Sequence, residues 1–426
     1  MKKLKVAVIG AGSTYTPEMI NGFLVRTDSL AVDSLYMMDI DPEKNRIVCS
    51  LAERMLRDRG YPARLVLTES LEEAVEGADY VLGQVRVGKL DARIKDEKIP
   101  LKYDMLGQET TGVGGFLNGL RTIPVLMNVA KTMESLAPDA WLINFSNPSG
   151  IVAHALLNHT NVKAIGLCNL PRGITGFAKG LAPEGTKEIE TDYVGINHLS
   201  WITAIYADGK DILPEHLLDE AVRAYTGILF DEELMRSIGA IPCGYLNYYY
   251  LRGEMIKRCK EVEKSRGEVC KEIERDLLKM YSDPSLVTYP DELNQRGGGM
   301  YSEAAVSLIE SIENNKQDYH IINTLNKGAY DFMADDDVVE VRCRVGKNGV
   351  FPEKQGSFNN QHIIGMMQAV KAYERLAVEA GLSGNVQTAL MALLTHPLIG
   401  DYEKAKPMLD EMLEAHRAFL PQFFKN

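Results

Sequence analysis

Cysteine is scarce in this chain: there are six among 426 residues, and none of them forms a CxxC pair. So few cysteines do not make a disulfide framework, and they fit a reducing cytoplasm in which a thiolate stays available as a ligand. The N-terminal apolar run reaches glycine after residue 9, which is too early for a signal peptide. We therefore expect a cytoplasmic protein.

The sequence also has no basic stripe and no long apolar run. The formal net charge is −12, which argues against nucleic acid as a partner, because phosphate binding needs clustered Lys and Arg side chains. No apolar segment reaches the roughly 20 residues that a transmembrane helix needs. The expected partner is a small-molecule substrate rather than a nucleic acid or a membrane.

Linkers rich in Gly, Ser or Pro are missing, and so are internal repeats. A chain of 426 residues is too long for one ordinary core, so we predict two tightly fused domains. Up to residue 168, predicted strands at 4–9, 34–38, 63–68, 79–85, 140–144 and 162–167 alternate with helices, which is typical of a Rossmann-like, doubly wound parallel sheet.

The pattern changes after residue 168. Residues 191–205 and 337–345 are predicted to be extended, whereas 215–258, 261–281, 301–314 and 361–419 are predicted to be helical. We expect a Rossmann-like α/β domain over residues 1–168 and an α+β domain over residues 169–426.

A glycine-rich turn follows the first predicted strand. Gly10 and Gly12, followed by Ser13, match the first two glycines of the dinucleotide fingerprint, but Tyr15 stands where the third would be. The second strand ends at Asp39, which is placed to accept hydrogen bonds from the adenosine ribose hydroxyls. This order favours an NAD site over a purely structural turn, and the acid favours NAD over NADP.

Two soft ligands lie in similar settings. Cys168 follows the strand predicted at 162–167, at the edge where open α/β sheets bind ligands, and His198 lies in a second extended segment. A thiolate and a neutral imidazole suit a divalent transition metal with open positions for substrate oxygens. From the spacing alone, two residues that only pack in the core are the favoured interpretation.

Three further groups lie near predicted strand ends. Asn147 could bind a substrate hydroxyl or cap the helix that follows it. Arg93 could clamp an anionic group or form an ordinary salt bridge. The tyrosine-dense segment 241–250 is typical of a core or an interface, unless a nearby cation lowers one phenol pKa enough to make a base.

Taken together, these stretches resemble glycoside hydrolase family 4, the NAD-dependent glycosidases, and within it the 6-phospho-β-glucosidases. Seven motifs in the same order carry the resemblance: GAGSTYTPE, ARIKDEKIPLKYDMLGQETTG, INFSNPSGIV, GLCNLPRG, GINHLSW, IPCGYLNYYY and RGGGMYSEAA.

The resemblance implies an elimination mechanism. NAD⁺ takes a hydride from C3 of the sugar, and the ketone acidifies the proton at C2. A divalent metal, typically Mn²⁺, stabilises the enediolate as a Lewis acid. A tyrosine removes the C2 proton, the C1 group leaves, water adds, and the hydride returns. The family also implies a homodimer or homotetramer.

The site residues implied by the resemblance fall into four groups. They are the metal ligands Cys168 and His198; the base Tyr245 with Glu109, which tunes its basicity; the substrate contacts Arg93, Asn147, Asn169 and Arg266; and the cofactor residues Gly10, Gly12, Ser13 and Asp39.

One position separates the family's substrate types. Relatives specific for α-linked phosphoglucosides have an Asp proton donor directly after the metal cysteine, where this chain has Asn169. The amide favours β-linked substrates, and it leaves open how the leaving group is protonated. The alternatives are a relative that acts on α-linked or unphosphorylated sugars, an NAD-dependent 2-hydroxy acid dehydrogenase of the lactate/malate type, and a non-catalytic NAD-sensing module.

Overall fold

The computed structural model describes residues 2–297, 299, 301–356 and 358–424, with the backbone alone for 301–303. Gly298 and Met300 of the RGGGMYSEAA motif lie outside the described residues.

Six parallel strands form the centre of the protein. In chain order they are β1 (Lys3–Ile9), β2 (Ala31–Met38), β3 (Arg64–Thr68), β4 (Tyr80–Gly83), β5 (Trp141–Asn144) and β6 (Lys163–Gly166). Their spatial order is β3-β2-β1-β4-β5-β6, and every neighbouring pair is parallel. This is the order of a doubly wound dinucleotide-binding sheet, so the predicted Rossmann-like fold is confirmed.

Helices connect these strands. They are α1 (Thr16–Leu24), α2 (Pro42–Asp58), α3 (Leu71–Val75), α4 (Lys89–Lys98), α5 (Gly112–Leu136), α6 (Ser149–His159) and α7 (Leu170–Lys179). Helix α5 begins with a glycine-rich stretch, Gly112, Gly114, Gly115 and Gly119, although glycine is a poor helix former. This stretch has no room for larger residues: a Cβ atom at Gly114 would lie 2.2 Å from the Gln108 carbonyl oxygen.

The rest of the chain adds seven strands. They are β7 (Ile189–Ile196), β8 (Leu199–Ala207), β9 (Lys210–Asp211), β10 (Ile241–Pro242), β11 (Asp318–Leu325), β12 (Val338–Gly346) and β13 (Gly349–Pro352). The helices are α8 (Leu213–His216), α9 (Glu220–Arg223), α10 (Glu232–Ile238), α11 (Asn247–Tyr250), α12 (Arg252–Glu261), α13 (Arg266–Tyr281), α14 (Tyr301–Glu313), α15 (Gln361–Ser383), α16 (Val386–Thr395) and α17 (Tyr402–Ala415).

Two helical predictions need correction. The segment 215–258 is interrupted by β10 and by a 3₁₀ helix, Gly244–Leu246. The helix predicted at 261–281 begins later than expected: α12 ends at Glu261, and a capping box formed by Ser265 and Glu268 starts α13 at Arg266.

Strands β11, β12 and β13 extend the first sheet beyond β6, and each is antiparallel to its neighbour. The prediction missed β11 because polar residues interrupt its apolar pattern, among them the fully buried Asn323. One sheet therefore takes strands from both sides of residue 168. The predicted domain boundary between residues 168 and 169 stays a prediction.

A second sheet consists of β7, β8, β9 and β10. Strands β7 and β8 form a tight hairpin in which Ile196 pairs with Leu199, so Asn197 and His198 make the turn. None of the helices in the described part of the chain has the length and apolar character needed to span a bilayer.

Candidate functional site

A cavity of about 1090 Å³ lies at the carboxyl edge of the parallel strands. Ten of the twelve predicted site residues line it: Gly10, Gly12, Ser13, Asp39, Arg93, Glu109, Asn147, Asn169, Tyr245 and Arg266. The other two, Cys168 and His198, are buried behind its wall, where the His198 ring stacks on Tyr245. The structure thus brings all twelve residues to one place.

The glycine turn has the form that the fingerprint predicts. Gly10 has a φ of +90°, and a Cβ atom there would lie 2.9 Å from the Gln84 carbonyl oxygen, so only glycine fits. The Gly12 N–H donates to Asp39 Oδ2 at 2.8 Å. This bond ties the turn to the carboxyl end of β2, which brings the pyrophosphate and ribose parts of a dinucleotide site together.

Two residues that are distant in sequence stabilise the same glycine turn. The Arg296 guanidinium lies 5.0 Å from the centre of the Tyr15 ring and donates to Thr14 Oγ1 at 2.5 Å. The Tyr281 hydroxyl donates to the Thr14 carbonyl oxygen at 2.8 Å. The sequence prediction missed Arg296 as a cavity residue, and its only signal was the conspicuous run of glycines that follows it.

Cys168 and His198 form a close, buried pair. The distance from Cys168 Sγ to His198 Nε2 is 3.4 Å, and His198 adopts a φ of +62°, which a non-glycine residue rarely adopts. Cys168 comes from the end of β6 and His198 from the β7–β8 turn. Burial raises the pKa of the Cys168 thiol and lowers the pKa of His198 to about 4.

The pair fits a divalent transition ion. A neutral imidazole is the form that ligates metal, and His198 Nδ1 is a buried polar atom without a hydrogen-bond partner among the described residues. Across the part of the chain that the structure describes, no group of three or more His, Cys, Asp or Glu side chains is arranged to hold a metal. An ion held by Cys168 and His198 would therefore keep positions open for substrate oxygens.

Tyr245 lies between this pair and the cavity. Strand β10 pairs with β8, and the 3₁₀ helix that follows places the Tyr245 ring 4.2 Å from the His198 ring, centre to centre. Burial is the main cause that raises the pKa of Tyr245, and the electrostatic effects of the neighbouring Cys168 and of the Glu109 carboxylate raise it further. The Tyr245 phenolate is thus a strong base, and a nearby cation would allow it to form by stabilising its negative charge.

Glu109 belongs to a buried network of charges. It forms ion pairs with Arg86 and, at 2.7 Å, with Arg93, whose Nε also donates to Glu97 at 2.7 Å. The second Glu97 oxygen accepts the Gly267 N–H at 2.6 Å, at the start of α13. Burial alone would raise the pKa of Glu109, but Arg86 and Arg93 outweigh it and lower that pKa to about 2. The prediction missed Arg86 and Glu97.

Two of the remaining residues have clear local settings. The helix-cap interpretation of Asn147 is wrong, because the N-cap residue of α6 is Pro148 and Asn147 Oδ1 accepts no backbone N–H of this helix. Asn147 Oδ1 is buried without a partner among the described residues, so it is available to a ligand. Asn169 Nδ2 donates to the Gly299 carbonyl oxygen at 3.0 Å.

Arg266 lies at the first position of α13. It is exposed, and it donates to the Gln295 carbonyl oxygen at 2.7 Å at the rim of the cavity.

Two family models match the chain. One, described as family 4 glycosyl hydrolase, matches residues 5–182, and the other, the family 4 glycosyl hydrolase C-terminal domain, matches residues 193–399. The chain therefore belongs to glycosyl hydrolase family 4.

The chain is similar to several known proteins over nearly its full length. The chain is 43% identical to the "Probable 6-phospho-beta-glucosidase" of Bacillus subtilis (strain 168), covering 99% of this chain and 98% of that protein. It is 38% identical to the 6-phospho-beta-glucosidase of Escherichia coli (strain K12), covering 99% and 97%. The structure of the 6-phospho-beta glucosidase from Thermotoga maritima with manganese, NAD⁺ and glucose-6-phosphate is similar at a TM-score of 0.89 and 37% identity, covering 98% and 99%.

The Glu109 network predicts an acid-dependent contribution to stability. Because the pKa of Glu109 falls from 4.5 to about 2 on folding, its carboxylate stabilises the protein above pH 4.5, and this contribution is lost as the pH falls toward 2. Glu109→Gln should lower the free energy of unfolding at neutral pH by on the order of 3 kcal/mol. Denaturant unfolding at a series of pH values should show this difference shrinking below pH 4.5.

The exposed Glu403 in α17 provides the control, since Glu403→Gln should have little effect at any pH. A Glu109→Gln protein as stable as the wild type at neutral pH would contradict the assigned network.

Proposed function

We propose that this chain is a 6-phospho-β-glucosidase that uses NAD⁺ and a divalent metal, typically Mn²⁺. One observation carries the proposal: the Cys168–His198 pair is stacked against Tyr245, at the wall of the same cavity that the Gly10–Gly12 turn and Asp39 line. Membership of family 4 and the names of the relatives support it.

The cofactor residues suit NAD. Gly10 and Gly12 line the cavity without side chains, which allows the backbone to approach a pyrophosphate. Asp39 follows β2, where its carboxylate would meet ribose hydroxyls and repel a 2′-phosphate. Cys168 and His198 would hold the metal. When bound, NAD⁺ supplies a hydride acceptor for C3 of the sugar, and the metal supplies a Lewis acid for the neighbouring oxygens.

Residues of the chain itself would remove the C2 proton and orient the sugar. Tyr245 takes the C2 proton on its phenolate oxygen, and the negative charge of Glu109 raises its basicity. Arg93, fixed between Glu97 and Glu109, and the free amide oxygen of Asn147 orient the sugar. Burial of Cys168 and His198 behind the cavity wall shields these two side chains from bulk water.

Residues at the rim of the cavity would contact the 6-phosphate and the leaving group. Arg266, exposed at the start of α13, is placed to bind the 6-phosphate. Asn169 cannot donate a catalytic proton, so the aglycone leaves without an acid at this position, which supports a β-linked rather than an α-linked substrate. A cytoplasmic location and a homodimer or homotetramer complete the proposal.

The alternatives are less well supported. A lactate/malate-type dehydrogenase would use the Rossmann half alone and would have no use for the Cys168–His198–Tyr245 arrangement. A relative for α-linked sugars would need an acid where Asn169 stands. A sensing module would leave the residues on the substrate side without a purpose.

A substrate comparison tests the proposal. With NAD⁺ and Mn²⁺ present, the protein should hydrolyse 4-nitrophenyl β-glucoside 6-phosphate, but neither the unphosphorylated β-glucoside nor the α-linked 6-phosphate. NADH should not accumulate with product, because the hydride returns, and a chelator should stop the reaction. Turnover of the unphosphorylated or α-linked compound at the same rate, or one NADH per product, would support the corresponding alternative.

Tyr245→Phe should lower kcat by about 10²–10⁴-fold, because the substitution removes the proton acceptor, while NAD⁺ affinity stays nearly unchanged. Tyr248→Phe is the matched control: its ring centre is 6.1 Å from that of Tyr245, yet it does not line the cavity. Steady-state kinetics and NAD⁺ titration measure both effects. Unchanged turnover in Tyr245→Phe would remove Tyr245 from the mechanism.

A further inference from the structure

A fully buried carboxylate lies behind the Cys168–His198 pair. Glu340 is on β12, one of the strands that extend the first sheet, and its exposed fraction is 0%. It has no ion-pair partner among the salt bridges of the described residues, and it does not line the cavity. None of the sequence motifs contains it. A buried carboxylate of this kind needs hydrogen-bond donors, and their identity suggests its role.

Three side chains donate to Glu340. Asn197 Nδ2 lies 3.1 Å and Asn323 Nδ2 3.0 Å from Glu340 Oε1, and the Tyr193 hydroxyl donates to Glu340 Oε2. Burial raises the pKa of Glu340, while these three donors lower it. The two asparagines come from different sheets, so a single carboxylate oxygen joins the two sheets.

The Asn197 bond leads to His198. Asn197 is the other residue of the β7–β8 turn, and its Oδ1 also accepts the Gly150 N–H at 3.2 Å. Both ends of the Asn197 amide are therefore engaged. His198 adopts its left-handed conformation directly after this anchored residue. Such a backbone conformation persists in a non-glycine residue only where the surroundings impose it.

The Asn323 bond leads to Cys168. Across three neighbouring strands, Gly166 of β6 pairs with Asn323 of β11, and Asn323 pairs with Glu340 of β12. Asn323 Nδ2 also lies 3.4 Å from the Gly166 carbonyl oxygen, two residues before Cys168. A Cβ atom at Gly166 would lie 2.9 Å from Asn323 Cβ, so the two strands are in close contact.

We infer that Glu340 is a positioning residue for the metal site: through Asn197 and Asn323 it holds the two ligand-bearing segments at the spacing seen between Cys168 and His198. The inference rests on the proposed function, because it assumes that this pair binds a divalent ion. Groups that orient metal ligands from behind typically change metal affinity by about 10–100-fold when they are replaced.

Glu340→Gln tests the inference, because the amide has nearly the same shape but one acceptor fewer and no charge. Mn²⁺ binding can be followed by the loss of the free-ion electron paramagnetic resonance signal, and Co²⁺ binding by the thiolate-to-metal charge-transfer band. The variant should bind Mn²⁺ about 10–100-fold more weakly and should give an altered Co²⁺ band, while NAD⁺ affinity stays near that of the wild type.

Glu313→Gln is the matched control. Glu313 is also a carboxylate that accepts a tyrosine hydroxyl, from Tyr80 at 2.7 Å, but it lies at the opposite, amino edge of the sheet. This variant should bind Mn²⁺ as the wild type does. If Glu340→Gln does not fold, Asn323→Ala takes its place, because it removes only the link toward Cys168, and it should also weaken Mn²⁺ binding.

The outcomes distinguish the positioning role of Glu340 from the proposed function. If the wild type binds Mn²⁺ through Cys168, as shown by loss of binding in Cys168→Ser, and folded Glu340→Gln or Asn323→Ala binds it equally tightly, the inference is overturned and the proposed function stands. If the wild type has no Mn²⁺ site that depends on Cys168, the proposed function fails, and the inference fails with it.

Discussion

The structure depends on bringing a thiol and an imidazole from separate sheets to within 3.4 Å of each other inside the protein. Cys168 reaches this point because β6 ends there, and His198 because a two-residue turn forces its backbone into the left-handed region. The left-handed conformation of His198 is not the lowest-energy choice for an isolated chain segment. The surrounding sheets must therefore hold the pair together.

Burial then determines the chemistry that is available. It keeps His198 neutral and raises the pKa values of Cys168 and Tyr245, so all three groups are uncharged at neutral pH and lie in a small volume. A divalent cation in this place stabilises both a thiolate and a phenolate. The carboxylate of Glu109 works in the opposite sense: it stays ionised between two arginines and makes the phenolate a stronger base.

Much of the Rossmann half was predictable, because its strands are nearly all apolar and alternate with helices. Strand β1, with Val6 to Ile9 buried, and the Gly10 turn show this most clearly. The site residues were placed by the resemblance to family 4, since spacing alone could not distinguish Cys168 and His198 from core residues. The structure places Cys168 and His198 next to Tyr245, while the individual roles of these residues stay predictions.

What could not be predicted arises from contacts between distant parts of the chain. Arg296 contacts the glycine turn, and the only local signal for it is the run of glycines that follows. Glu340 pairs with Asn323 on the neighbouring strand, and no local pattern marks Glu340 as functional. Strand β11 was missed for a related reason, because buried Asn323 breaks its apolar pattern while serving a hydrogen-bond network. Tertiary structure overrides local periodicity at these points.

The most direct test of the central claim is to run the reaction in D₂O with NAD⁺ and Mn²⁺ and to examine the released sugar phosphate by proton NMR. If a sugar C–H bond is broken beside the Cys168–His198 pair, the product must carry deuterium at C2. Complete hydrolysis with protium retained at C2 would contradict the account.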